Sequence, residues 1–194
     1  MFTERQLEII NVSMEIIAEL GIQGLTIKNI SKKISISEPA IYRHFESKIE
    51  ILVAILDYYK QTAQTIHGRI LYSEASPFEQ IKLMFKAQLE LFVTQPSLLS
   101  VIFAEEIFQN EKILADRVYS IMKINEEIVS SLILKGQTKG NIRNDIGDNS
   151  MIFMVMGALR LLITQWRLSG FSFDLLKEGD VLFSDIEKLL INPS

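Results

Sequence analysis

Between Thr26 and Lys48 the chain reads TIKNISKKISISEPAIYRHFESK, and this stretch limits the possible folds more than any other. Three helix starts succeed one another closely, at Thr26, Ser37 and Ser47, residue types whose side-chain oxygen can accept from the first free amides of a helix. Ile27, Ile30 and Ile34 recur at helical spacing and give the first helix an inner face. Ser35 and Ile36 make the turn. In the next helix Glu38 suits the positive end of the dipole, and Pro39 sacrifices no needed donor. Ile41 and Phe45, four residues apart, point this short helix inward and leave Ala40, Tyr42, Arg43 and His44 to look elsewhere. The bases Lys28, Lys32, Lys33, Arg43 and Lys48 outnumber the acids Glu38 and Glu46 by three, in a chain whose net charge is −4. The rest of the chain therefore carries −7, and a local basic patch on an acidic body suits a phosphate contact.

The flanking sequence is helical too. Leu7, Ile10, Met14 and Ile17 define a face of a helix from about Thr3 to Leu20, with Thr3 and Gln6 spaced for a capping box. Gly21 ends it, because glycine tolerates the left-handed conformation there. Ser47 and Glu50 open a helix that runs to about Ile70. Further helices are expected over 78–93, 98–108, from 110 or 111 to 139, 150–169 and 177–190. The glycine- and asparagine-rich segment KGNIRNDIGDN separates the third and fourth of these. No convincing alternating strand or repeat is seen. The expected class is all-α, with about nine helices.

Hydrophobic residues make up 48% of the 194 positions and charged residues 23%, the composition of a folded globular protein. Cysteine is absent, which excludes disulfides and thiolate metal sites and fits a reducing, cytoplasmic setting. Only His44 and His67 offer imidazole, far apart in sequence, so neither a metal nor a cofactor is expected. Glycine-rich phosphate loops are absent, and Glu105 and Glu106 are adjacent rather than helix-facing, so nothing favours an enzyme. Met151–Trp166 is the most apolar long run, but Arg160 interrupts it and it falls short of the roughly 20 residues a span needs. It reads as a buried helix of a soluble protein.

A short, firmly held helix presented end-on is what the DNA major groove accepts. Ser37, Glu38, Pro39, Ala40 and Arg43 are placed for base edges or the adjoining backbone. Ala40 suits a thymine methyl and Glu38 a cytosine amino group. Thr26, Lys28, Tyr42, His44 and Lys48 are candidates for phosphate contacts, which position a protein without reading sequence. Singly, each is as readily an ordinary surface residue; the two capped short helices at this spacing favour DNA.

The segment ELGIQGLTIKNISKKISISEPAIYRHFESKIEIL resembles the TetR (tetracycline-repressor-like) family of bacterial transcriptional regulators over about Gln6–Leu56. Gly21, Thr26, Ile30, Ile36-Ser37, the run Ile41 to Phe45, and Ser47-Lys48 carry the resemblance. Ser31 stands where the family usually has alanine, and Ser35 where it has glycine. The resemblance implies a reader over residues 1–48, a linking helix over about 47–70 and an effector-binding and dimerisation bundle over 49–194. It also implies a homodimer, paired through its last two helices, on a palindromic double-stranded operator. Such proteins are usually repressors released by a small molecule, with no membrane partner. For an effector pocket the sequence offers Phe85, Gln88, Phe92, Phe103, Phe108, Tyr119, Met122, Phe153, Met156, Arg160 and Trp166, although aromatics and methionines at helical spacing are more often core. Arg160, amid MIFMVMGALRLLITQW, calls for a partner or a wet surface. Gly157 and Ala158 would let helices approach closely.

Overall fold

The computed structural model describes residues 2–103 and 111–191, so Phe108, Glu105 and Glu106 lie outside the described residues. Among these residues there are nine α-helices and no strand: α1 (Glu4–Gly24), α2 (Ile27–Lys33), α3 (Glu38–Tyr42), α4 (Lys48–Leu71), α5 (Pro77–Thr94), a 3-10 turn (Pro96–Leu98), α6 (Leu99–Ile102), α7 (Lys112–Thr138), α8 (Asp148–Leu168) and α9 (Leu175–Leu190). The expected all-α class holds.

The chain forms two compact units that are not contiguous in sequence. One comprises Met1–Thr62 with Gln95–Ile121, the other Ala63–Thr94 with Met122–Ser194. The sequence places its boundary at residue 48, whereas the units divide α4 after Thr62.

In the first unit α1 is the hub. Its capping box forms as expected, with the Thr3 hydroxyl accepting from Gln6 N–H and the Gln6 side chain returning to Thr3. Gly21, at φ 71°, breaks its regular geometry. One face of α1 packs on α2, and α1 also packs on the 3-10 turn and α6, burying Ile9, Ile10 and Ile17 in α1 and Leu98, Leu99 and Val101 in its partners. The second of these contacts brings a distant part of the chain against the N-terminal helices. Arg117 Nε on α7 reaches Asp57 Oδ1 on α4 at 3.3 Å, also within this unit.

In the second unit α9 packs on α5 and α8. The α5–α9 crossing is close: a Cβ on Gly179 would lie 2.1 Å from Leu89 Cδ1, and Leu89 is itself buried. Beside it the Phe183 ring meets Phe78 and Phe85 at centroid distances of 5.7 and 5.0 Å. Overpacking costs about 1–3 kcal/mol, so Gly179→Val is expected to lower stability by that amount or more in a denaturant titration. An unchanged midpoint would show that α9 can move away from α5. The buried Gln80 amide donates to the carbonyls of Ile70, Leu71 and Ser73 at 3.2–3.4 Å, closing the end of α4. Trp166 Nε1–H donates to Phe173 O at 3.0 Å and its ring meets Phe171 edge-on, which ties the α8–α9 loop together.

The run expected as a buried helix is buried on one side only. Met151, Val155, Ile163 and Trp166 face inward, while Phe153, Met154, Leu161 and Leu168 are exposed. α8 is long and apolar enough to cross a membrane by length and composition alone, and 28% of its most apolar window is buried inside the protein.

Candidate nucleic-acid interface and C-terminal interior

Thr26 caps α2 as expected, its hydroxyl accepting from Asn29 N–H at 3.1 Å. The Asn29 side chain in turn holds Gly24 O at 2.8 Å, a brace that sequence reasoning missed because asparagine inside a helix carries no fixed signal. The turn closes as a Schellman motif: Ile36 N–H donates to Ser31 O at 3.1 Å and Ser35 N–H to Lys32 O at 3.4 Å. Ser35 occupies the left-handed position at φ 56°, where glycine is usual. A side chain costs about 1–2 kcal/mol in that conformation, and glycine's freedom in the unfolded chain offsets part of this. Ser35→Gly is thus expected to raise the thermal midpoint slightly; a fall would mean that the serine makes a compensating contact.

Ser37 stands at the N-cap of α3, but its hydroxyl makes no capping bond, contrary to expectation. The helix starts instead on the backbone bond from Ala40 N–H to Ser37 O at 2.9 Å, with Pro39 presetting its first turn. Ile41 is fully buried and Phe45 nearly so, and these anchors leave Glu38, Pro39, Tyr42 and Arg43 exposed along α3. Helical geometry puts those four on one face. Ser47 caps α4, accepting from Glu50 N–H at 3.2 Å, while the Glu50 carboxylate accepts from Glu46 N–H.

The basic residues divide into two groups. Lys28, Lys32 and Arg43 are exposed, and no ion pair among the described residues holds them. They are the cations available to a polyanion, and Lys32 joins the two the sequence singled out. Lys33 is engaged: its ammonium reaches Glu19 at 2.8 Å and Glu15 at 3.2 Å on α1, and its pKa rises, chiefly through the Glu19 hydrogen bond. Lys48 is half-buried and donates to Ile22 O at 2.9 Å, and burial pulls its pKa down. It holds the last turn of α1 to the start of α4. His44 is half-buried, Ala40 likewise, and Thr26 is exposed.

The residues expected to line an effector pocket differ widely in exposure. Phe85, Phe92 and Trp166 are buried; Gln88, Phe103 and Met156 are half-buried; Tyr119, Met122, Phe153 and Arg160 are exposed. Phe103 and Tyr119 belong to the first compact unit, the others described to the second or its edge. An open groove of about 610 Å³ runs between α7 and α8, lined by Glu126, Glu127, Ser131, Leu134 and Lys135 among others, and none of the expected residues lines it.

The burial of one histidine was not legible in the sequence, since a lone histidine on a helix carries no signal. His67, on α4, is buried, and its Nδ1 has no hydrogen-bond partner among the described residues. Leaving such an atom unsatisfied costs about 1–3 kcal/mol. Burial lowers its pKa below the ordinary 6.5. Between the folded and unfolded values the unfolded chain binds more protons, so stability increases with pH there. Stability is expected to fall as pH drops below about 6.5, and His67→Leu should flatten that part of a denaturation series. An unaltered slope would assign the loss to other groups.

Residues 9–55 match the family model of bacterial regulatory proteins, tetR family, and residues 59–192 match that of the YsiA-like protein, C-terminal region. The fatty acid metabolism regulator protein of Bacillus subtilis is 21% identical over 191 residues, covering 97% of this chain and 94% of that protein. The probable acrEF/envCD operon repressor of Escherichia coli K12 is 19% identical, covering 95% and 86%. The crystal structure of the transcriptional regulator FadR from Bacillus subtilis in complex with stearoyl-CoA superposes with a TM-score of 0.81 at 20% identity, covering 93% of this chain and 96% of that one.

Proposed function

The chain belongs to the tetR family of bacterial regulatory proteins, a non-enzymatic family of DNA-binding regulators, and on that basis we propose a cytoplasmic repressor that binds a palindromic operator as a homodimer and leaves it when a small molecule binds its C-terminal part. Residues 1–48 form the reader, α4 the link, and the remainder to residue 194 the effector-binding and pairing region. The observation that carries this reading is the exposed face of α3, with Glu38, Pro39, Tyr42 and Arg43 outward and Ile41 and Phe45 holding it from behind.

Pairing is assigned to α8 and α9. The uncovered arc of α8 is apolar, through Phe153, Met154, Gly157, Leu161 and Leu168, with Arg160 at its margin. Val181 and Leu189 on α9 are also exposed. Exposed apolar patches of this kind mark association surfaces. Space is open around Gly157, where a Cβ would meet nothing within 4 Å, so a second copy's helix can approach closely. Two copies would set their α3 helices about 34–36 Å apart, or a multiple of that, on successive turns of DNA.

For the effector we assign a long-chain acyl-CoA. The Bacillus subtilis regulator structure carries stearoyl-CoA, and the second unit is rich in buried aromatic and branched side chains. Release requires that the ligand bind the DNA-incompetent state more tightly.

Selection of bound sequences from a random DNA pool, with and without palmitoyl-CoA, tests the whole. A palindromic motif lost on adding the ligand is expected; no enrichment would overturn the reading. Lys28→Ala should weaken operator and random DNA alike and reduce the salt slope by about 0.9 for the phosphate contact removed. Glu38→Ala should instead change the selected motif. An unchanged salt slope for the first variant would remove Lys28 from the phosphate contacts.

A further inference from the structure

We infer that each copy in the dimer seats the turn after its α8, with Leu168 and Phe171 foremost, in the groove between α7 and α8 of the other copy. This rests on the pairing through α8 and α9 proposed above and adds to it a third helix, α7, and a named occupant for the groove.

The turn is built to hold an apolar knob outward. Gly170 and Phe171 both take left-handed backbone, at φ 68° and 62°. Glycine does so freely, whereas a bulky side chain does so rarely. Hydrogen bonds hold the turn in place. Phe171 N–H and the Ser169 hydroxyl both donate to Trp166 O at 2.9 Å, Ser172 N–H donates to Ser169 Oγ at 3.3 Å, and Trp166 Nε1–H donates to Phe173 O at 3.0 Å. The Phe171 ring leans edge-on against Trp166 at a centroid distance of 4.7 Å. Even so, Phe171 is 47% exposed and Leu168 74% exposed. Asparagine or glycine would take this backbone at lower cost, so a strained phenylalanine points to something the ring meets outside its own chain.

The groove lies at the other end of the same helix. It is open, holds about 610 Å³, and is lined by Leu134, Lys135 and Thr138 of α7 and by Asn149 and Ile152 of α8, among others. Leu134 is half exposed there, an apolar side chain with room beside it.

The two features are placed symmetrically along α8. Asn149 and Ile152 precede residue 160 by 11 and 8 positions, and Leu168 and Phe171 follow it by 8 and 11. In a two-fold pair, residue i meets residue j wherever j meets i. A helix lying across the two-fold axis runs antiparallel to its mate. Two α8 helices that cross near residue 160 therefore set each turn opposite the other's groove, roughly 14 Å along the helix from the crossing. The apolar arc with Gly157 and Leu161 lies between the two ends, and space is open around Gly157. Both knobs and both grooves are used at once, which closes the pair at two copies. A one-way contact would leave a free knob and a free groove and would continue into a filament.

The chain has no cysteine, so introduced thiols report contacts without background. Leu134→Cys and Leu168→Cys are made singly and together and treated with a short bismaleimide at micromolar protein. Within one chain the two positions stand at opposite ends of α8, out of reach of a short linker. The double variant is expected to give a covalent dimer and the single variants none. A dimer by sedimentation whose double variant does not cross-link overturns the docking and leaves the α8–α9 pairing standing. Single variants that cross-link as well as the double also overturn it. A monomeric parent overturns both. As a second measurement, Leu134→Lys and Phe171→Asn should keep their helix content, because both side chains are exposed in the single chain, and asparagine tolerates the left-handed backbone. Each should raise the dimer dissociation constant at least about tenfold. Leu134 is on neither α8 nor α9, so a seam of those two helices alone would not register its change. Unchanged dissociation constants for both variants overturn the docking.

Discussion

Phe153→Glu combined with Leu161→Glu will make the protein monomeric at micromolar concentration and weaken operator binding by about 10²–10⁴-fold. Phe153 and Leu161 are 78% and 60% exposed in the single chain, so glutamate at either place meets water and the fold should survive. In the pair the same positions would lie at the seam, each carboxylate facing apolar side chains and its own symmetry mate. Burying an ionised carboxylate without a partner is far costlier than any contact it replaces. Operator affinity falls because a linked second half-site binds at a high effective concentration, and a monomer loses that advantage. Sedimentation velocity and operator titration on one preparation check the two halves of this expectation, with circular dichroism confirming helix content. A persistent dimer would move the seam elsewhere. A monomer with full operator affinity would refute reading by two half-sites.

The second large effect is expected from Phe45→Ala. Phe45 is 3% exposed and anchors α3 together with Ile41. Removing a buried phenylalanine side chain costs about 3–5 kcal/mol, a large share of the roughly 5–15 kcal/mol that holds a domain folded. The loss should fall first on α3, because a helix of five residues cannot sustain itself without packing. Operator binding should vanish together with the lowered melting temperature. Tyr42→Ala is the contrast: Tyr42 is 51% exposed, so the variant should melt like the parent and bind all DNA more weakly. Should Phe45→Ala keep both its melting point and its affinity, α3 is held by something other than its two anchors.

The reader was legible in the sequence because its signals are local. Caps at Thr3, Thr26 and Ser47, the break at Gly21 and the pair Ile41 and Phe45 each rest on neighbours within one turn, and the structure has each of them. The strain at Ser35 was legible for the same reason. What the sequence did not show are partners that come from elsewhere in the chain. The engagement of Lys33 by Glu15 and Glu19, and of Lys48 by Ile22 O, depends on how the C-terminal half of α1 packs against α2 and the start of α4. The exposure of half of α8 was hidden because hydropathy does not say which face is covered, or by what. That Gln95–Ile121 joins the N-terminal helices results from packing on α1 across about 80 residues of sequence, a separation no periodicity reports.

That last arrangement bears on transplantation. The chain crosses between its two compact units three times, twice within a continuous helix. A graft that borrowed only the residues up to Thr62, to give another effector domain this protein's DNA preference, would strip α1 of the 3-10 turn and α6 and bare part of its buried face to water or to a foreign neighbour. Exchange between such regulators therefore favours alteration of a few exposed side chains on α3 over recombination of whole heads, since the head is not one uninterrupted length of polypeptide.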